Sequence, residues 1–207
     1  MITDLSANIN ANLTCVRSLL DINSYLVIKL SMMKIITCLL ICVTLVGVTS
    51  LAEVKPPKVG DAAPDFTLQD AEEKQHNLKK LRGKLVLLIL GNRKIRKEDD
   101  KWAEAFQKDY KKDKRVTAYI IADMRSVPGF IPKGFIRSRI KRKPPPVTFL
   151  MDWKGQVHQR YQTEKKKPNL YLISPQGKIV FHRKANFNPE IYTELKKQID
   201  TLLAEKP

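Results

Sequence analysis

The chain has 207 residues, enough for one domain with a substantial core. Its 38 basic and 21 acidic residues give a formal charge of +17, which points to anionic partners without choosing among nucleic acid, lipid headgroups and acidic polymers. The three cysteines, Cys15, Cys38 and Cys42, all precede residue 43, so the rest of the chain has no disulfide framework and no thiol.

The N-terminus reads as a targeting segment. Met33-Lys34 precedes the apolar run Ile35 to Ala52, which closes on the small residues Ser50 and Ala52. A cationic start, an apolar run and small residues at the end predict a secretory signal peptide cut after Ala52. The run is also just long enough to span a bilayer, so 32–52 has a second reading as an uncleaved anchor. Residues 1–31 do not fit in front of a signal peptide, and we read them as an extension from a start codon placed too early. The expectation is an exported protein, periplasmic or secreted, with membrane anchoring by 35–52 as the alternative. Arg17, Lys29, Lys34, Asp4 and Asp21 lie before residue 53, so the remainder keeps 35 basic and 19 acidic residues and a net charge of +16.

After a charged, proline-containing linker at 53–58, the segment 59–207 reads as one domain. Val59 to Asp70 is an extended opening, and Leu78 to Gly83 a turn of helix closing on glycine. Lys84 to Leu90 is a continuous apolar strand of the kind buried on both faces. Lys97 to Lys112 predicts a helix, with Trp102, Ala105, Phe106 and Tyr110 on one face. Arg115 to Asp123 is a second strand, and strand, helix, strand implies a parallel pair. Phe135 to Lys143 predicts a short helix with Phe135, Ile136 and Ile140 inward, ended by Pro144-Pro145-Pro146. Two strand-turn-strand units follow, at 147–161 and 170–184, turning at Asp152 to Gly155 and Ser174 to Gly177. In the last helix Asn188 caps, Pro189 takes the first position, and Ile191, Leu195, Ile199 and Leu202 form the apolar stripe.

Three segments resemble the redoxin branch of the thioredoxin fold, the AhpC/TSA peroxiredoxin-like group. They are VGDAAPDFTL (59–68) with Leu81-Arg-Gly-Lys84, LVLLILGNRKIRKE (85–98), and PNLYLISPQG (168–177). The resemblance implies an α/β fold, a thioredoxin-like three-layer sandwich with a central mixed β-sheet. It places the active site at the loop after the second segment and a cis proline, Pro168, opposite it. Arg93-Lys-Ile-Arg-Lys-Glu98, Pro128-Gly129, Ile136-Arg-Ser138 and the turn at Asp152 to Gly155 further resemble the YtfJ family, whose members also lack the cysteine.

In the redoxin group the active-site loop holds a redox cysteine; here counting back from Arg96-Lys97-Glu98 puts Asn92 and Ile95 at the two positions of a C-x-x-C pair, counting forward from the strand shifts them by about two residues, and neither register brings the thiolate that thiol chemistry needs. Asn92, Arg93, Lys94 and Arg96, at the mouth of a helix, instead form a candidate anion-binding loop, with a solvated basic loop as the plainer reading. His76, His158 and His182 lack the spacing of metal ligands. His158 and His182 hold related places in the two expected hairpins and could meet across a sheet. No Ser/His/Asp order, phosphate-cradling loop or paired carboxylates in a cleft is evident, and no cofactor or metal is expected.

The basic clusters at 111–115, 137–143 and 165–167 read either as solubilising surface or as a polyanion footprint. Export and the absence of an aromatic stacking strand argue against nucleic acid. An anionic envelope polymer, lipid headgroups or a protein partner remain. Two functions from different classes are left open: a non-catalytic binding or scaffold protein, and a redoxin-type oxidoreductase or peroxidase-like protein that uses a partner's thiol or an unidentified residue. A membrane-anchored accessory subunit is a third.

Overall fold

The computed structural model describes residues 32–34, which are helical, and 55–205. The N-terminal extension, the apolar run 35–52 and all three cysteines lie outside the described residues. No helix among the described residues is long and apolar enough to cross a membrane. The chain divides into two units between Glu53 and Val54, and the second carries every strand found among the described residues.

Seven strands form one mixed sheet, and the three at its centre follow from the apolar runs. The strands are β1 (Thr67–Gln69), β2 (Gln75–Asn77), β3 (Leu85–Asn92), β4 (Val116–Asp123), β5 (Thr148–Asp152), β6 (Asn169–Ile173) and β7 (Ile179–Lys184), in spatial order β2-β1-β5-β4-β3-β6-β7. Every residue of β3 from Leu85 to Gly91 is buried, as a strand covered on both faces must be. It pairs parallel with β4 and antiparallel with β6, and β4 pairs parallel with β5. Side-chain alternation sends Leu85, Leu87 and Ile89 into one core and Val86, Leu88 and Leu90 into the other.

The first core is covered by α1 (Arg96–Tyr110) and α4 (Pro189–Ala204). Trp102, Phe106, Leu195 and Ile199 are its helical contributors, with Ala103 more deeply buried than the expected Ala105. Polar contacts join the two helices: the Tyr110 hydroxyl donates to Asp200 at 2.7 Å, and the Tyr192 hydroxyl to the Ala105 carbonyl at 2.8 Å. The second core is covered by the opening segment through Ala63 and Phe66, and by α3 (Gln156–Arg160) through Val157. Helices, sheet and a second cover make three layers, the α/β thioredoxin-like sandwich expected.

Three local expectations fail. The segment 147–161 is not a hairpin: β5 is followed by the short helix α3, because the Asp152 carboxylate accepts from the backbone N–H groups of Gln156, Val157 and His158 and so nucleates a helical turn. Gly155, at φ +67, makes the reversal into it. In α2 (Lys133–Arg142), Ile136 and Ile140 are partly buried, but Phe135 is 51% exposed, because this helix buries no residue fully and has only a narrow apolar stripe. The polar strand β2 carries no apolar alternation to reveal it. It forms because the Asp70 side chain accepts from the N–H groups of Glu72 and Lys74 and closes a turn after β1.

Trp102 is fully buried, donates its indole N–H to the Ala185 carbonyl at 3.2 Å and packs edge-on against Phe187. Trp102→Ala is therefore expected to cost about 3–5 kcal/mol, through lost burial and a residual cavity, measured by urea denaturation.

Candidate functional site

The parallel strands β3, β4 and β5 end together, and Asn92, Asp123 and Asp152 stand in one row across that edge. The carboxyl ends of parallel strands are where open α/β sheets leave room for ligands. The chain after β3 makes a short 3-10 turn, Arg93–Ile95, and enters α1. The Asn92 side chain caps that turn by accepting from the Lys94 N–H at 2.9 Å.

Opposite this turn lies the segment before β6. Asn169, fully buried, pairs with Leu90 across the sheet, and its side chain binds the carbonyls of Glu164 and Lys167 and the N–H of Glu164. Asn92 reaches the same loop by donating to the Lys165 carbonyl at 2.7 Å. Pro168 lies in the chain between these two contacts, Lys165 and Asn169. Its bond to Lys167 is trans, not cis, since no cis peptide occurs among the described residues. Here the Asn169 side chain closes the turn into β6, so that turn is completed with Lys167–Pro168 in trans.

Each acid at this edge has an internal partner. Arg125 grips Asp123 with contacts of 2.9 and 2.6 Å. Burial would raise the Asp123 carboxyl, but the hydrogen bonds from the Arg125 side chain and N–H, with the nearby His158, hold it below its ordinary value. Asp152 behaves alike: burial pushes it up, and the bonds from the His158 ring and the α3 N–H groups outweigh that and hold it down.

His158 is the residue that sequence reasoning placed wrongly. It sits on α3 and not on a strand, is 4% exposed, and does not meet His182, which stacks on Tyr171 with ring centroids 4.1 Å apart. His158 Nδ1 lies 2.9 Å from Asp152 Oδ2, and Nε2 lies 3.0 Å from the Gly91 carbonyl. Both partners are acceptors, so both contacts are satisfied only when the ring carries both protons. The side chain ties the end of β3 to β5 and α3. The signal for it was the D-x-x-G turn followed by a histidine, read there as a hairpin.

On the other face of Gly91 lies a second residue that sequence reasoning missed. Asp99 in α1 is 1% exposed, and neither carboxyl oxygen has a hydrogen-bond partner. Its carboxyl packs so closely on Gly91 that any Cβ there would collide with it, which is why glycine is needed at this point. Burial pushes the Asp99 carboxyl up to about 8, against a smaller opposing pull from Arg96.

Of the candidate loop residues, Arg96 is already engaged: its Nε donates to Asp100 at 2.7 Å and its guanidinium lies over the Phe149 ring. Arg93 and Lys94 are exposed, and neither has a carboxylate partner among the described residues. A groove of about 670 Å³ opens elsewhere, between Phe106 and Tyr110 of α1, the start of β4 and the run Pro144–Pro146, and no loop residue lines it.

The AhpC/TSA family profile matches residues 59–182. The chain belongs to the AhpC/TSA family. Among solved structures, a protein described as a DsbE thiol:disulfide interchange protein from Chlorobium tepidum superposes with a TM-score of 0.58 at 23% identity, over 72% of this chain and 99% of its own. The thioredoxin domain of a thiol-disulfide oxidoreductase from Bacteroides vulgatus gives 0.53 at 22% identity, over 69% and 98%. At these identities the likeness is one of fold. No curated protein matches the chain.

The buried acid Asp99 yields a pH prediction. A carboxyl raised in the folded state holds its proton more tightly there than in the unfolded chain. Its favourable contribution is complete below about 4 and lost as pH rises towards about 8. Asp99→Asn removes that loss. The variant is expected to match the wild type near pH 4 and to exceed it at pH 8 by roughly 2–5 kcal/mol in urea unfolding.

Proposed function

We propose that this AhpC/TSA chain is an exported, non-catalytic binding protein in which a fixed electrostatic edge stands where its family keeps a thiol. The observation that carries the reading is Asn92. It ends β3, caps the following turn and donates to the Lys165 carbonyl, so the place facing Pro168 is held by an amide that cannot attack a disulfide or a peroxide. No other thiol is available in 43–207.

The charges at the edge support binding over catalysis. Asp123 and Asp100 each already have an arginine and Asp152 has the His158 ring, and what remains facing solvent is mostly positive: Arg93, Lys94 and the run Lys165–Lys167, with Glu164 beside it. An anionic partner, either an envelope polymer or an acidic protein segment, suits that edge. Within the family we place the chain with the cysteine-less YtfJ-like branch, on Arg93-x-x-x-Lys97-Glu98, Pro128-Gly129 and the Asp152–Gly155 turn. In this structure Glu98 has a supporting role, accepting from the Phe187 N–H at 2.9 Å and pairing with Lys101. Export rests on the run 35–52.

The purified protein is expected to show no insulin-disulfide reduction and no peroxide turnover with a thiol donor. Asn92→Cys with Ile95→Cys tests whether only the thiols are missing. Turnover by the parent chain well above a heat-treated control would overturn the binding-protein reading.

A further inference from the structure

A second surface, separate from the edge at Asn92, has the make-up of a membrane-docking face. Between Asp123 and Asp152 the sequence contains no acidic residue and seven basic ones. Arg125 is held by Asp123, and Arg137 reaches Glu73 at 2.7 Å. The other five, Lys133, Arg139, Lys141, Arg142 and Lys143, have no carboxylate partner among the described residues. The same segment carries the two most exposed aromatic side chains of the described residues, Phe130 at 85% and Phe135 at 51%. The helix α2 between and beyond them buries none of its residues fully.

A solvated basic surface explains the lysines and arginines but not the phenylalanines. Leaving two large apolar rings in water forgoes burial that most chains of this size find room for. Both rings project from a stretch that is wholly cationic, and that pairing fits one environment closely. An anionic bilayer attracts each basic side chain near its surface and offers an apolar layer just beneath the headgroups. A soluble polyanion would satisfy the charge and leave the rings wet. An acidic protein groove would have to supply both an apolar floor and unusually dense negative charge.

We infer that the segment 128–143 docks onto an anionic lipid bilayer, with Phe130 and Phe135 inserted at the headgroup level and the five unpaired cations of α2 and its flanks seated on lipid phosphates. The inference does not use Arg93, Lys94 or the fate of residues 35–52. An uncleaved apolar run would bring the domain to the same surface, and a cleaved one would leave this face as the means of reaching it.

The test uses the full chain and large unilamellar vesicles of phosphatidylcholine with or without 30% phosphatidylglycerol. The run 35–52 contributes equally to every variant, so the readouts are local. Phe130→Trp should show a blue-shifted component that brominated acyl chains quench on the anionic vesicles, over the signal from Trp102 and Trp153 in the parent. Phe130→Ser with Phe135→Ser should lower the partition coefficient about tenfold. Arg139→Gln with Arg142→Gln should lower it by about tenfold or more and flatten its salt dependence. The control pair Lys178→Gln with Lys184→Gln removes the same charge from β7 and the residue before it, four strands from β5 in the sheet, and should change it less than threefold. Equal losses from the two charge pairs would overturn the inference in favour of diffuse attraction. Phe130→Trp quenched no more than the parent would overturn it too. So would a soluble acidic polysaccharide that binds the segment while the phenylalanine variants bind it unchanged.

Discussion

The Asp152–His158–Gly91 linkage is the constraint on which the functional end of this molecule depends. Two stretches far apart in sequence meet through one imidazole: the end of β3, and the end of β5 with the start of α3 that follows it. Asp152 also caps α3 through three backbone N–H groups, so a single carboxylate fixes both the helix and the ring that it carries. A buried carboxylate–imidazole pair is a weak source of net stability, because desolvating both partners offsets most of their attraction. Its effect is to fix geometry. The β3 end cannot shift without separating the buried His158 Nε2 from the Gly91 carbonyl.

That rigidity bears on function. The turn after β3 is held from below by His158, pressed by Asp99 and stitched sideways to the Lys165 carbonyl by Asn92. A thiol enzyme needs at this point a nucleophile with access to substrate and an environment that lowers its pKa. This chain has an amide there, internally paired acids, and exposed cations that no carboxylate neutralises. On the reading proposed above, such an arrangement presents charge in a fixed pattern for recognition rather than for turnover. The segment 128–143 adds a second surface of the same sign with two exposed aromatic rings.

The strong periodic signals in the sequence led directly to structure. The run at β3, the amphipathic stripe of α1 and the Asn188-Pro189 start of α4 are local patterns whose physical cause lies in the residues themselves, and each is found where it was expected. What failed depended on side-chain-to-backbone bonds a few residues apart, which the pattern of apolar residues does not record. The 147–161 segment reads as a hairpin because a turn with glycine sits between apolar stretches; only the spatial arrangement shows that Asp152 turns its carboxylate onto the N–H groups beyond that glycine. β2 was invisible because its three residues are polar and its pairing is made by the Asp70 turn. The candidate site was half legible. Asn92, Arg93, Lys94 and Arg96 lie at one end of the sheet, but of the buried groups behind them His158 had only the D-x-x-G turn as a signal, and Asp99 carries no local signature, since burial is a property of the fold.

The most direct test of this account is the hydrogen bonding of the His158 ring, read from its nitrogen signals in ¹⁵N-labelled protein, with a His158→Gln variant to assign them. The linkage predicts that Nδ1 and Nε2 both carry a proton and both couple across hydrogen bonds, to Asp152 and to the Gly91 carbonyl. One unprotonated nitrogen, or a ring exchanging freely with solvent, would mean that the imidazole does not bridge the strand ends and that the edge is not held as described.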